Sequence, residues 1–270
     1  MSSLASRILV TVGGLPIVLA LVYAGGWWLF GLLLAATLIA LHEFYVMIRS
    51  LRPLVLAGYA AGIATLLGAQ LGGIGWMVGG LLLTLLLGFG LYGVATTRQP
   101  ATIAIGSTFL GVGWIACGTG SLLLLRALDK QDHPRLLAFT VLLAVFAADT
   151  AAYGAGRLFG RHKLSPQLSP GKTWEGFVAG VLAAVAVSFF ALYDTRQEFL
   201  SIWQALVLGA VIALAEALGD LFESTLKRDM HVKDSGRLLG GHGGILDRID
   251  SLLFAGMAAL FTIAAFGFAP

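Results

Sequence analysis

The stretch SIWQALVLGAVIALAEALGDLFESTL, residues 201–226, decides the fold. It is almost continuously apolar and longer than the roughly 20 residues that a membrane-crossing helix needs. Yet it carries Glu216, Asp220 and Glu223. Their i, i+4, i+7 spacing puts all three on one helix face. Charge inside a span is costly, and three carboxylates on one stripe repel one another. The stripe makes sense if a cation or a basic loop lies against it. Oxygen donors at this density suit a hard divalent ion such as Mg²⁺. The plainer alternative is a row of acids paired with loop arginines.

The rest of the chain agrees with a membrane reading. Of 270 residues, 58% are hydrophobic and 11% charged, against ~45–50% and ~25% in average soluble domains. Mean hydropathy is +0.90. This composition excludes a soluble enzyme, a disordered chain and a nucleic-acid binder, despite a pI near 9.2. The 36 glycines suit closely packed membrane helices. The one cysteine, Cys117, excludes a disulfide within the chain.

Nine apolar segments read as spans: 8–24, 27–48, 54–72, 75–95, 101–125, 136–156, 174–192, 201–226 and 251–268. The third and fourth are separated only by Gly72-Gly73-Ile74-Gly75, so a hairpin or a re-entrant pair, with eight spans in all, is the alternative. The first segment lacks a cleavage site and reads as a retained helix. The fold class expected is therefore all-α, a polytopic integral membrane protein. With the N-terminus in and the C-terminus out, thirteen of the 17 Lys and Arg residues face inside, as the positive-inside rule requires. Residues 1–100 are expected to form a packing or dimer scaffold. Residues 101–270 are expected to form the catalytic region, with cytoplasmic loops 157–173 and 227–250.

Other polar residues mark these regions. Asp149, Tyr153 and Arg157 form a stripe at i, i+4, i+8 on the sixth span, with Gly156 and Gly160 allowing close approach. His42 and Glu43 on the second span read as an interhelix hydrogen-bonding pair. The first loop, GRLFGRHKLSPQLSPGKTWEG (156–176), is basic, and its two Ser-Pro pairs predict irregular backbone. Lys172 stands at the start of the seventh helix, with Thr173 as its cap, which makes a credible phosphate site. It is not a P-loop, because Pro166 replaces the first glycine.

The second loop, STLKRDMHVKDSGRLLGGHGGILDRID (224–250), mixes five bases with four acids among clustered glycines. That suits a metal-nucleotide site: acids hold the cation, bases neutralise phosphate, and glycines let backbone approach the ligand.

This second loop resembles the signature of the phosphatidate cytidylyltransferase family. Its defined positions are filled by Ser224, Leu226, Lys227, Arg228, Lys233, Asp234, Gly236, Leu239, Gly240, His242, Gly243, Gly244, Ile245, Asp247, Arg248, Ile249 and Asp250. Many relatives carry proline at the position of Gly240. Ser169, Pro170, Lys172, Thr173, Glu175 and Gly176 match a second element, and Asp149, Tyr153 and Gly156 a third. The resemblance covers about residues 149–250.

The resemblance implies an Mg²⁺-dependent transfer of a cytidylyl group from CTP to phosphatidic acid, giving CDP-diacylglycerol and pyrophosphate. It implies a metal role for Asp220 and Asp247. From the residues themselves we add Glu223 and Asp250 beside them and a second cation. Lys227, Arg228, Lys233, His242 and Arg248 would join the catalytic set. Ser169, Lys172, Thr173, Glu175, Asp149, Tyr153 and Asp234 would bind substrate. It further implies a homodimer in contact with membrane lipid. The charge count, together with the cytoplasmic location of CTP, puts the site on the cytoplasmic face of the inner membrane, and composition excludes nucleic acid as a partner. An ion-coupled carrier and a CTP-using polyprenol kinase are the rival readings. The carrier would show inverted repeats, which the sequence lacks.

Overall fold

The computed structural model describes residues 3–94, 99–128, 133–196, 198–236 and 243–268. Their helices are α1 (Ser3–Ala24), α2 (Gly26–Met47), α3 (Val55–Val94), α4 (Ala101–Gly111), α5 (Cys117–Ala127), α6 (His133–Phe159), α7 (Trp174–Leu192), α8 (Ile202–Asp229) and α9 (Leu246–Ala265). A π-turn over Val112–Ala116 joins α4 to α5, so 101–127 runs as one helical element. Among the described residues, seven helical elements are long and apolar enough to cross a membrane. The chain is an all-α membrane protein with one small exception, the strand pair described below.

Glycine sets the tightest junctions. Gly73 has φ 73° and ψ −159°, which breaks α3 into two arms; an L side chain would resist that backbone. The arms then pass at backbone distance. A Cβ on Gly80 would lie 2.5 Å from the Thr65 Cα. The Gly72–Gly75 segment thus turns a hairpin, as the sequence allowed.

The chain forms two compact units. The first comprises 1–124 with 229–249, and the second 125–228 with 250–270. In the first, buried hydroxyls bond between helices: Thr37 Oγ1 and Thr119 Oγ1 lie 2.7 Å apart, and the Tyr45 hydroxyl donates to the Thr108 carbonyl at 3.1 Å. His42 Nδ1 meets the Tyr59 hydroxyl at 2.9 Å, the interhelix bond expected of that residue. Phe44 and Trp114 pack edge to face at 5.8 Å. Such bonds and close contacts, rather than hydrophobic burial, hold helices together where the surroundings are themselves apolar.

In the second unit, α6 and α7 approach through small residues. A Cβ on Gly176 would lie 2.5 Å from the Ala152 carbonyl oxygen, and one on Gly156 3.0 Å from Thr173 Oγ1. On α8, a Cβ on Gly209 would lie 2.6 Å from the Val185 Cα of α7. The rings of Phe222 of α8 and Phe254 of α9 meet at a tilt of 49°, their centroids 5.3 Å apart. Large apolar side chains such as Leu182 and Phe190 face outward, as a lipid-facing surface requires.

The first loop departs from expectation. It is not irregular but a hairpin of β1 (Lys163–Ser165) and β2 (Ser169–Thr173), paired antiparallel with Lys163 opposite Thr173 and Ser165 opposite Ser169. Pro170 is tolerated because a two-stranded sheet consists only of edges. The Trp174 N–H donates to the His162 carbonyl at 2.9 Å, which carries the ladder to the start of α7.

Candidate active site

The β1–β2 hairpin delivers Lys172 to α7. Thr173 sits in extended backbone and caps α7: its Oγ1 accepts from the Gly176 N–H at 3.2 Å. Glu175 lies in the first turn and meets His162 Nδ1 at 2.7 Å. It also accepts from the His162 backbone N–H at 3.3 Å, tying the hairpin to the helix. Thr173 and Glu175, two substrate candidates, therefore have structural partners as well.

Lys172 reaches α8. Its Nζ lies 2.6 Å from Asp220 Oδ2, with both side chains partly exposed. Around this pair opens a cavity of about 350 Å³. Asp149, Tyr153 and Arg157 of α6 line it, with Ser169 of β2 and Glu216 of α8. Arg157 Nη1 donates to the Tyr153 hydroxyl at 3.3 Å. Phe177 and Val181 of α7 and Ala213 and Ala217 of α8 supply apolar wall. One chamber thus combines two cations, three carboxylates and apolar surface.

One turn further along α8 stands Glu223, and the carboxylate oxygens of Asp220, Glu223 and Asp250 of α9 lie within 4.8 Å of one another. Among the described residues this is the one cluster of metal-ligand type. Glu223 is 1% exposed. Its Oε2 accepts from Lys227 Nζ at 2.6 Å, whereas its Oε1 has no hydrogen-bond partner among the described residues. A buried carboxylate oxygen facing other carboxylates is unfavourable unless a cation or a shared proton lies between them. With three carboxylate donors this close, the residues present fit a hard divalent ion bound through oxygen.

The remaining candidates fall in both units. Arg228 is exposed at the end of α8. In the first unit, Lys233 and Asp234 are exposed, and Arg248 is exposed in the first turn of α9. Asp247 accepts backbone N–H bonds, from Gly244 at 2.8 Å and Ser235 at 3.0 Å, both to Oδ2. His242 lies outside the described residues.

The sequence reading missed one residue. It gave Glu43 only an interhelix bond, yet this carboxylate accepts backbone N–H groups of the second loop. An acid near the end of an apolar helix was the available signal; its partner, 202 residues away, was not. Glu43 also explains two glycines of that loop. Gly244 was expected to let backbone approach a ligand; the space a methyl group would take there, and at Gly236, is filled by Glu43.

The model of the cytidylyltransferase family matches residues 5–266, nearly the whole chain. The chain belongs to that family. Cytidylyltransferases are nucleotidyl-transferring enzymes, and this chain is one of them. A Mycobacterium bovis protein named phosphatidate cytidylyltransferase is 33% identical over 273 residues, covering 91% of this chain and 83% of the relative. Relatives of the same name from Haemophilus influenzae and Staphylococcus haemolyticus are 42% and 48% identical over 126 and 122 residues. Each of those two matches covers less than half of either chain.

Proposed function

We propose that this cytidylyltransferase transfers the cytidylyl group of CTP to phosphatidic acid, releasing pyrophosphate and leaving CDP-diacylglycerol in the membrane. The observation that carries the reading is the single chamber in which Lys172 meets Asp220, one turn along α8 from Glu223. The names of relatives along most of the chain support the same substrate pair.

The chemistry asks for little covalent help. A phosphate monoester has its second pKa near ~6 and is mostly dianionic at neutral pH. One of its oxygens forms a bond to the α-phosphorus of CTP. The bond from that phosphorus to the bridging oxygen breaks, and pyrophosphate leaves with the electron pair. No redox change occurs, and no strong general base is required. The barrier is the approach of two anions, so catalysis rests on positioning and charge neutralisation.

Each residue's task follows from its place. Lys172 and Arg157 present positive charge in the chamber and hold phosphate oxygens. Tyr153 orients Arg157 through its hydroxyl, Asp149 lines the same chamber, and Ser169 offers a hydroxyl from the hairpin. Lys227, Arg228, Lys233, His242 and Arg248 are the further bases for the triphosphate and headgroup, with Asp234 orienting them. Asp220, Glu223 and Asp250 would hold Mg²⁺, which when bound supplies the positive charge that offsets the reacting phosphates. The family resemblance gives Asp247 a metal role too, and its bonds from Ser235 and Gly244 fix the carboxylate in one orientation. A second cation and a homodimer complete the reading.

The membrane arrangement is part of the proposal. Counting both arms of α3, nine spans would place the N-terminus inside and the C-terminus outside. Both charged loops then face the cytoplasm, where CTP is found, and the enzyme sits in the inner membrane. Residues 1–100 serve as packing and dimer scaffold. The direct test is product analysis with purified enzyme, CTP and phosphatidic acid. CDP-diacylglycerol and pyrophosphate support the reading; CDP with a phosphorylated lipid would replace it with a kinase.

A further inference from the structure

Glu43 lies near the C-terminal end of α2 and is buried. Its Oε1 accepts from the Ile245 N–H at 3.1 Å, and its Oε2 from the Leu246 N–H at 2.9 Å. These N–H groups open α9, where they have no partner inside the helix. A carboxylate there satisfies both donors and meets the positive end of the helix dipole. Because two oxygens take two consecutive N–H groups, the turn is fixed in orientation as well as in place.

The backbone around Glu43 is shaped to admit it. A Cβ on Gly236 would lie 2.6 Å from the Glu43 Cδ, and one on Gly244 2.6 Å from its Oε1. Both glycines belong to the loop whose pattern carried the family resemblance. The Gly244 N–H in turn goes to Asp247 at 2.8 Å. Three consecutive N–H groups, 244 to 246, therefore end on two carboxylates. One belongs to the loop, and the other comes from α2.

We propose that Glu43 is a positioning residue for the reaction. It fixes the backbone of 244–246 and through it the placement of Asp247 and Arg248. The proposal rests on the cytidylyl-transfer reading. A role confined to stability would lower the amount of folded protein and leave the turnover of each folded molecule unchanged. A positioning role lowers turnover itself, because small misplacements of reacting groups are costly.

The test uses the full chain in detergent with Mg²⁺, CTP and phosphatidic acid. Glu43→Gln keeps the shape but offers one acceptor and one donor, so one N–H loses its partner. The expected kcat falls by about tenfold or more, with the KM for CTP changed far less. Amide hydrogen exchange at Ile245 and Leu246 should quicken, while the interior of α9 keeps its protection. Gly244→Ala should lower kcat alone but add little in a Glu43→Ala background, because the carboxylate it collides with is gone. Wild-type kcat in folded Glu43→Gln, unchanged exchange at 245–246, or strict additivity would overturn the proposal. If Glu43→Ala does not fold, Glu43→Gln decides alone. If the wild type makes no CDP-diacylglycerol, the functional reading fails, and the exchange rates still judge the Glu43 contact.

Discussion

Lys172 holds Asp220 in an ion pair and lines the chamber, where the proposed function has it meet phosphate. Its removal should therefore act on nucleotide binding. Lys172→Ala should raise the KM for CTP by about tenfold, or ~1.4 kcal/mol, read from initial rates at varied CTP. An unchanged CTP dependence would release Lys172 from this task. The carboxylates should answer to Mg²⁺ instead. Asp220→Asn and Asp247→Asn should each lower turnover by roughly 100-fold and shift the Mg²⁺ midpoint upward. Near-normal turnover at the wild-type Mg²⁺ level would remove that residue from the metal set. At this scale the sequence was informative, because charge is rare in an apolar chain and each acid or base stands out. It was silent on pairing. Nothing in the residues near Glu43 pointed to amides 202 positions away, and nothing near Gly244 pointed to Glu43.

At the scale of elements, hydropathy located the seven described helical elements long and apolar enough to cross a membrane, because each is a long apolar run, and Thr173 declared itself as a cap by residue type. Shorter features were illegible for physical reasons. The β1–β2 strands have only three and five residues and carry two Ser-Pro pairs, so their local signals read as turns. The π-turn at Val112–Ala116 changes hydrogen-bond register without changing composition. The glycines of the hairpin and of α7 give a contrast that can be measured. A methyl group at Gly176 meets the Ala152 carbonyl oxygen, whereas one at Gly171 meets nothing within 4 Å. Gly176→Ala should cost about 1–3 kcal/mol, and Gly171→Ala less than ~0.5 kcal/mol, by thermal unfolding in detergent. Equal melting temperatures would contradict the close α6–α7 packing.

At the scale of the molecule, the two compact units share the candidate residues. The chamber and the carboxylate cluster belong to the second, and Glu43, Lys233, Asp247 and Arg248 to the first. The topology proposed here puts Lys163 and Lys233 on one side of the membrane and Arg196 on the other. Single cysteines at these sites, in a Cys117→Ala background, should follow that pattern. In intact cells an impermeant thiol reagent should modify Arg196→Cys and spare Lys163→Cys and Lys233→Cys. Labelling of all three, or the reverse pattern, would overturn the orientation. The central claim concerns which bond of CTP is broken. The most direct measurement supplies α-phosphate-labelled CTP with phosphatidic acid and Mg²⁺ to the purified enzyme and follows the label. The account predicts label in the lipid product, with pyrophosphate released in equal amount. Label recovered only as soluble CDP, with none in lipid, would contradict it.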